Sequence, residues 1–240
     1  MAQMVCLIGD PERQPLDDRL VTRLARTLGG TPRWLSDGEA CELAVDGADS
    51  KALLAATRAE VAGMALDVCV VPAADRVKRV LVCDLDSTII TIETIDELAD
   101  FAGVKAEVAA ITRRAMRGEL DFEAALKARV ALLEGLSPSV FDDVYRDRAR
   151  LMPGARTLIR TMRAQGAITA LVSGGFMPLA EKIRDDVGFH LVDANRLEVA
   201  HGRLTGRLTP PIVGPDAKLA MLERLRAEQS LTAAATLAVG

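Results

Sequence analysis

The sequence predicts an α/β protein in two parts. A small α+β module spans residues 1–75, and residues 76–240 form a parallel sheet with helices on both faces. Three observations predict this. In the second half, short apolar runs alternate with helical patterns, as in strands joined by crossover helices. In the first part, two helical patterns are interleaved with four short β-rich runs. Between the parts, residues 72–77 read as a linker.

The elements follow in chain order. Residues 4–8 are a short apolar run that suits a strand. Residues 16–28 carry apolar positions at helical spacing (Leu20, Val21, Leu24, Leu28) and stop at Gly29-Gly30, a C-cap signal. Residues 33–35 and 40–45 suit two strands paired across Ser36-Asp37-Gly38. A second helix fits 50–62, with Ser50 as its N-cap, and 66–71 is a fourth strand. The order βαββαβ is ferredoxin-like. Beyond the linker, 79–82 is a β-rich run leading into Asp84, and helical patterns fill residues 95–150. A helix over 155–165 closes at Gly166, and a strand over 168–172 ends at Ser173-Gly174-Gly175. A helix with Leu179, Ala180, Ile183 and Val187 on one face comes next. A hairpin turn follows at His201-Gly202, then a helix over 217–229 and a last strand over 236–239.

Composition narrows the function. Half of the 240 residues are hydrophobic but only 3% are aromatic, so the core is expected to be Leu, Val, Ala and Ile. With a net charge of −4 and interspersed signs, no basic run points to nucleic acid. No apolar stretch is long enough to cross a bilayer, and the N-terminus lacks a signal-peptide pattern, so a cytoplasmic protein is expected. Cys6, Cys41, Cys69 and Cys83 are scattered within or beside apolar runs. They read as small buried hydrophobes rather than a disulfide frame or a zinc site.

Three segments carry candidate chemistry. Asp84-Leu85-Asp86-Ser87-Thr88 places two carboxylates one residue apart where an apolar strand ends, the edge at which parallel sheets bind ligands. The same residues also suit an Asx turn closing a strand. The apolar run before them and Ser-Thr after them weigh toward chemistry. Ser173-Gly174-Gly175 offers a hydroxyl and free backbone N–H groups to a phosphate, and equally suits a tight turn that needs glycine. Lys218 stands near a helix start, where the dipole opposes it, so it is either a solvated surface lysine or the partner of an anion.

Asp84-Leu85-Asp86-Ser87-Thr88 resembles the first motif of haloacid dehalogenase superfamily phosphatases. With Ile89-Ile90 and Glu93-Thr94-Ile95-Asp96-Glu97 it resembles the phosphoserine phosphatases in particular. The resemblance runs from about residue 80 to 240. It includes Ala115-Met116-Arg117-Gly118, Phe122, Arg129, Asn195-Arg196-Leu197 and Leu204-Thr205-Gly206. It implies an HAD-like Rossmannoid sheet with a helical cap over about 93–151, and an N-terminal module like the amino-acid-binding ACT domains, which often pair into dimers. It also implies roles. Asp84 is the nucleophile, and Asp86 is the acid and then the base. Ser173 and Gly174 contact phosphate, and Lys218 neutralises it. Mg²⁺ binds to Asp84 and the Asp86 carbonyl. Glu93 meets the substrate ammonium and Arg129 its carboxylate, with Phe122 closing the pocket and Met116 lining it. The implied reaction is hydrolysis of O-phospho-L-serine, the last step of L-serine biosynthesis. The alternatives are a phosphatase for another small phosphomonoester, a phosphotransferase, and a non-catalytic amino-acid-binding protein.

The resemblance departs at one place. The superfamily's last motif, Gly-Asp-Gly-x-Asn-Asp after a strand, is met only as far as Leu237-Ala238-Val239-Gly240. The sequence as it stands is expected to bind magnesium weakly, to turn over poorly and to aggregate through an uncovered sheet edge.

Overall fold

The computed structural model describes residues 2–10, 12–13 and 16–240. The chain divides into two compact units, Met1–Val77 and Lys78–Gly240. The division falls two residues beyond the expected one.

The first unit contains β1 (Gln3–Gly9), α1 (Asp18–Leu28), β2 (Thr31–Ser36), β3 (Ala40–Val45), α2 (Ser50–Glu60) and β4 (Leu66–Pro72). Its strands lie in the order β2-β3-β1-β4, every neighbouring pair antiparallel. The βαββαβ order thus matches the sequence pattern. Helix α1 is capped by Asp17, whose carboxylate accepts the Leu20 N–H at 2.7 Å, and ends at Gly29 in the left-handed region. Helix α2 corrects the expected cap. Asp49, extended at φ −70° and ψ 130°, accepts the Ala52 N–H, while Ser50 is already helical. A cap must stand outside the helical dihedrals with its side chain free to turn back.

Val5, Leu7, Leu24, Leu43 and Val45 form the core between the helices and one face of the sheet. The other face holds Glu42, fully buried between Arg33 (2.7 Å) and Arg76. A buried carboxylate is tolerated only with such partners. Arg76→Ala leaves Glu42 with a single cationic partner, the largely exposed Arg33. The expected loss is roughly 1–3 kcal/mol of stability, read by urea denaturation of the variant against the parent.

The second unit contains β5 (Val80–Cys83), α3 (Thr94–Ala102), α4 (Lys105–Met116), α5 (Phe122–Ala131) and α6 (Val140–Asp143), which runs on into a π-helical turn at Val144–Arg148. Then come α7 (Ala155–Ala164), β6 (Ile168–Phe176), α8 (Met177–Val187), β7 (Leu191–Ala200), β8 (Arg203–Thr209), α9 (Asp216–Glu228) and β9 (Thr236–Val239). The sheet order is β8-β7-β6-β5-β9. Strands β7, β6, β5 and β9 are parallel, and β8 returns antiparallel to β7. The β7–β8 turn is His201-Gly202, both at positive φ, as a two-residue hairpin turn requires.

Strand β5 is buried along its whole length, and its side chains alternate between two cores. Leu81 and Cys83 face α3, α7 and α8, while Val80 and Val82 face α9. This explains why its sequence reads as an unbroken apolar run. The helices α3–α6 form an excursion between β5 and α7. Its two ends are pinned together: the Thr91 N–H donates to the Arg150 carbonyl and the Met152 N–H to that of Ile89, both at 2.9 Å.

Candidate active site

Strand β5 delivers Asp84 to the carboxyl edge of the sheet. The Asp84 N–H donates to the Val239 carbonyl at 2.9 Å, which carries the β5–β9 pairing one residue past the strand. One Asp84 oxygen accepts the Leu85 N–H at 2.8 Å, and the other accepts a charge-assisted hydrogen bond from the Lys218 ammonium. Lys218 lies in the first turn of α9, where the dipole is unfavourable to a cation. The Asp84 carboxylate supplies the compensation that the sequence left open.

After Asp84 the chain folds tightly, with the N–H groups of Ile89 and Ile90 both donating to the Leu85 carbonyl. Ser87 sits at φ 52°, in the left-handed region. Two hydroxyls then join this loop to the start of α3. Ser87 Oγ donates to Glu93 Oε1 at 2.6 Å, and Thr94 Oγ1 donates to Asp86 Oδ1 at 2.5 Å. Burial pushes the Asp86 carboxyl up to about 7, against the Thr94 hydrogen bonds, which pull it down; Glu93 and Asp84 add smaller upward pushes. A carboxyl in that range exists in both protonation states near neutrality.

The turn after Ser173 uses its glycines for space rather than for dihedral freedom. Gly174 and Gly175 are not at positive φ. A Cβ on Gly174 would meet the Phe122 ring at 3.0 Å, and one on Gly175 would meet Asp86 Oδ2 at the same distance. Ser173 is buried and its Oγ accepts the Gly175 N–H at 2.9 Å. Asn195 on β7 clamps this loop to the segment before α9. Its amide donates to the carbonyls of Gly174 and Val213, and its oxygen accepts the Val213 N–H at 2.8 Å.

Several of these groups line one cavity of about 260 Å³. Asp84, Asp86, Ser173, Gly174 and Lys218 line one side, while Glu93, Phe122 and Arg129 come from the helical excursion. Arg129 is half-buried on α5. Its guanidinium donates to the Ala125 carbonyl and weakly to Thr112, and burial pulls its pKa down against the opposing pull of Asp96 and Glu93. It remains a cation at any ordinary pH. Met116 is the exception among the expected residues. At the end of α4 it is 84% exposed and does not line the cavity, because the helix turns that position to solvent. Sequence reading assigned no task to the side chains of Ser87, Thr94 or Asn195. The one available signal was that all three lie within the segments that carry the resemblance.

Among the described residues, no three His, Cys, Asp or Glu side chains gather into a metal-binding cluster. The Asp84 carboxylate at the β5 edge nevertheless offers oxygen donors, and the resemblance adds the Asp86 main-chain carbonyl. Magnesium is commonly held by one or two carboxylates together with water and substrate phosphate. The donor set therefore fits the ion in kind.

Residues 81–240 match the model of the haloacid dehalogenase-like hydrolases. The chain belongs to that family. It is 45% identical over 203 residues to a phosphoserine phosphatase of Streptomyces coelicolor, covering 84% of this chain and 49% of that protein. It is 46% identical over 164 residues to one of Streptococcus thermophilus, covering 68% of this chain and 76% of that protein. Among solved structures it resembles a phosphoserine phosphatase carrying a phospho-aspartyl intermediate analogue, with a TM-score of 0.61 and 37% identity over 67% of this chain and 77% of that one. The chain spans about half the length of the Streptomyces relative. The parallel α/β sheet is thus that of the hydrolase family. No helix among the described residues is long and apolar enough to cross a membrane.

Within this hydrolase unit, Asn195→Ala strips partners from one N–H and two carbonyls in a buried turn. The expected cost is roughly 3 kcal/mol, measured by urea denaturation, with the cavity loop loosened in amide hydrogen exchange.

Proposed function

We propose that this chain carries the catalytic unit of a magnesium-dependent phosphoserine phosphatase working through an aspartyl-phosphate. The observation that carries the reading is the pairing at one sheet edge of two carboxylates with unlike partners: Asp84 hydrogen-bonded to the Lys218 ammonium, and Asp86 raised to about 7 by burial. Two carboxylates in such different surroundings suit a nucleophile beside a proton carrier.

In this reading the substrate phosphate lies between Lys218, the Ser173 hydroxyl and the backbone of Gly174. An Asp84 oxygen attacks phosphorus as the bond to the serine oxygen breaks, and protonated Asp86 gives that oxygen its proton. L-serine leaves. Ionised Asp86 then takes a proton from water as the water oxygen attacks phosphorus, the Asp84 acyl-phosphate bond breaks and inorganic phosphate departs. Magnesium, held by the Asp84 carboxylate and the Asp86 carbonyl, would draw charge from the phosphoryl oxygens. The excursion acts as the cap. Glu93 meets the ammonium once released from Ser87, Arg129 meets the carboxylate with its fork, and Phe122 covers the phosphate end. The product assigns the protein to L-serine biosynthesis, a cytoplasmic task.

The deciding assay is phosphate release from O-phospho-L-serine with Mg²⁺, by this chain and by a form continued past Gly240 through the acidic motif. Hydrolysis of a different phosphomonoester in place of phosphoserine would remove the substrate assignment and keep the chemistry. Asp84→Asn is expected to abolish turnover, and Asp86→Asn to lower kcat by about 100- to 10,000-fold. Because the first step needs protonated Asp86, kcat/KM should fall as pH rises through about 7. Steady-state profiles of parent and variant check this: the limb should vanish in Asp86→Asn. Glu93→Ala and Arg129→Ala are each expected to raise KM for phosphoserine by about tenfold or more, with little change for p-nitrophenyl phosphate. A parallel loss on both substrates would show that these residues do not read the amino acid.

A further inference from the structure

The sequence reading expects four cysteines that serve as small buried hydrophobes. Three are buried, but Cys69 is exposed. The reason is its strand: β4 is an edge of the first unit's sheet, and Cys69 faces away from the helices, on the same face as Cys6. Cys6 on β1 and Cys69 on β4 are directly opposite in the antiparallel register. The ladder also shows which kind of pair they form. The Ala73 N–H donates to the Ala2 carbonyl at 3.0 Å, so residues 2 and 73 are a hydrogen-bonded pair. Such pairs recur at every second residue, which makes Cys6 and Cys69 one as well, two steps along.

We propose that Cys6 and Cys69 are an oxidation site, a thiol pair that a peroxide closes into a cross-strand disulfide. In a hydrogen-bonded antiparallel pair the Cα atoms lie about 5.5 Å apart, inside the roughly 4.4–6.8 Å that disulfides span. The Cβ atoms, about 5 Å apart, are beyond the relaxed spacing of roughly 3.5–4.5 Å. Closure therefore draws the edge strand inward and leaves a strained bond, the kind that thiols reduce readily. β4 is paired on one side only, so it is the strand free to yield.

The two sulfurs are unequal in a way that sets the order of events. Cys69 is exposed on the edge strand, where a small oxidant reaches it. Cys6 is 8% exposed and its Sγ–H donates to Glu42 Oε1 at 3.7 Å. Burial, then Cys69, then Glu42 push the Cys6 thiol up to about 12, so it stays protonated and does not compete with Cys69 for the oxidant. Cys69 sulfur attacks the peroxide, the O–O bond breaks, and a sulfenic acid and water result. Cys6 sulfur then attacks the sulfenic sulfur, the S–O bond breaks, and the hydroxide leaves as water with the Cys6 proton. Two thiols and one hydrogen peroxide give one disulfide and two waters. Cys41 cannot compete, because its side chain is in the core on the opposite face of the sheet, and Cys83 is buried in the second unit.

The test treats the reduced, folded chain with hydrogen peroxide, blocks free thiols, and maps digested peptides by mass spectrometry. The expected result is loss of two of the four thiols and a peptide linked through Cys6 and Cys69, with both thiols restored by dithiothreitol. Cys6→Ser keeps a hydroxyl donor for Glu42, so it preserves the local bonding. In that variant, Cys69 should accumulate as sulfenic acid that a dimedone probe traps. Three results would overturn the proposal: a sulfinic acid at Cys69 in the parent, a Cys69–Cys69 link between molecules, or a Cys6–Cys69 link formed only after denaturation.

Discussion

The ion pair between Lys218 and Asp84 joins two points 134 residues apart, and the rest of the site is arranged around it. Asp84 is fixed by its strand: β5 is buried on both faces and hydrogen-bonded on both sides, so the carboxylate has little freedom of position. Lys218 is fixed by α9, which packs on the face of β5 that carries Val80 and Val82. An ammonium in the first turn of a helix works against the dipole, and it is stable there because a carboxylate lies opposite. In the proposed reaction the arrangement holds a positive charge where a phosphate would bring negative charge. It does so with groups already in place, which is how electrostatic preorganisation acts.

Asp86 depends on the opposite kind of constraint. Asp84 has a cation as partner, whereas Asp86 has a hydroxyl and a glycine. The missing side chain at Gly175 lets the carboxyl lie against backbone, out of water, and Thr94 fixes its direction. Desolvation raises a carboxyl and a hydrogen bond to its charged form lowers it. Here desolvation is the larger effect, with Thr94 moderating it. Two residues apart in sequence, the carboxylates have different surroundings, set by what their neighbours lack as much as by what they supply.

Much of this was legible in the sequence, and the exceptions share a cause. The β5 run, the carboxylate pair and the hairpin at His201-Gly202 are local patterns, and the structure has them where the patterns lie. Atom-level partners are set by tertiary contacts that spacing does not reveal. Nothing in Ser87-Thr88 indicates that Ser87, at positive φ, reaches Glu93 while Thr94 reaches Asp86. Asn195 reads as one polar residue in a strand, yet its three hydrogen bonds hold two distant loops together. Gly174 and Gly175 suggested a special backbone angle; the ring of Phe122 and the carboxyl of Asp86 are the actual reason. Met116 and Cys69 were misplaced for a related reason. A helix face and an edge strand decide exposure, and both depend on what packs against them.

In the proposed reaction the excursion α3–α6 separates specificity from chemistry on one chain. Its two ends meet at Ile90 and Leu151, so its helices hang from a narrow, hydrogen-bonded root. Asp84, Ser173 and Lys218 lie on the sheet side of that root, whereas Phe122 and Arg129 lie on helix α5 within the excursion. A change in the helices can therefore alter what the cavity grips without moving the carboxylate at the strand end. Glu93 is the intermediate case: it stands at the start of α3, one residue before Thr94, and is tied back to the motif loop through Ser87. The same short turn thus orients Asp86 through the Thr94 hydroxyl and Glu93 through the Ser87 hydroxyl. In the proposed reaction this links the part that chooses a ligand to the part that acts on it.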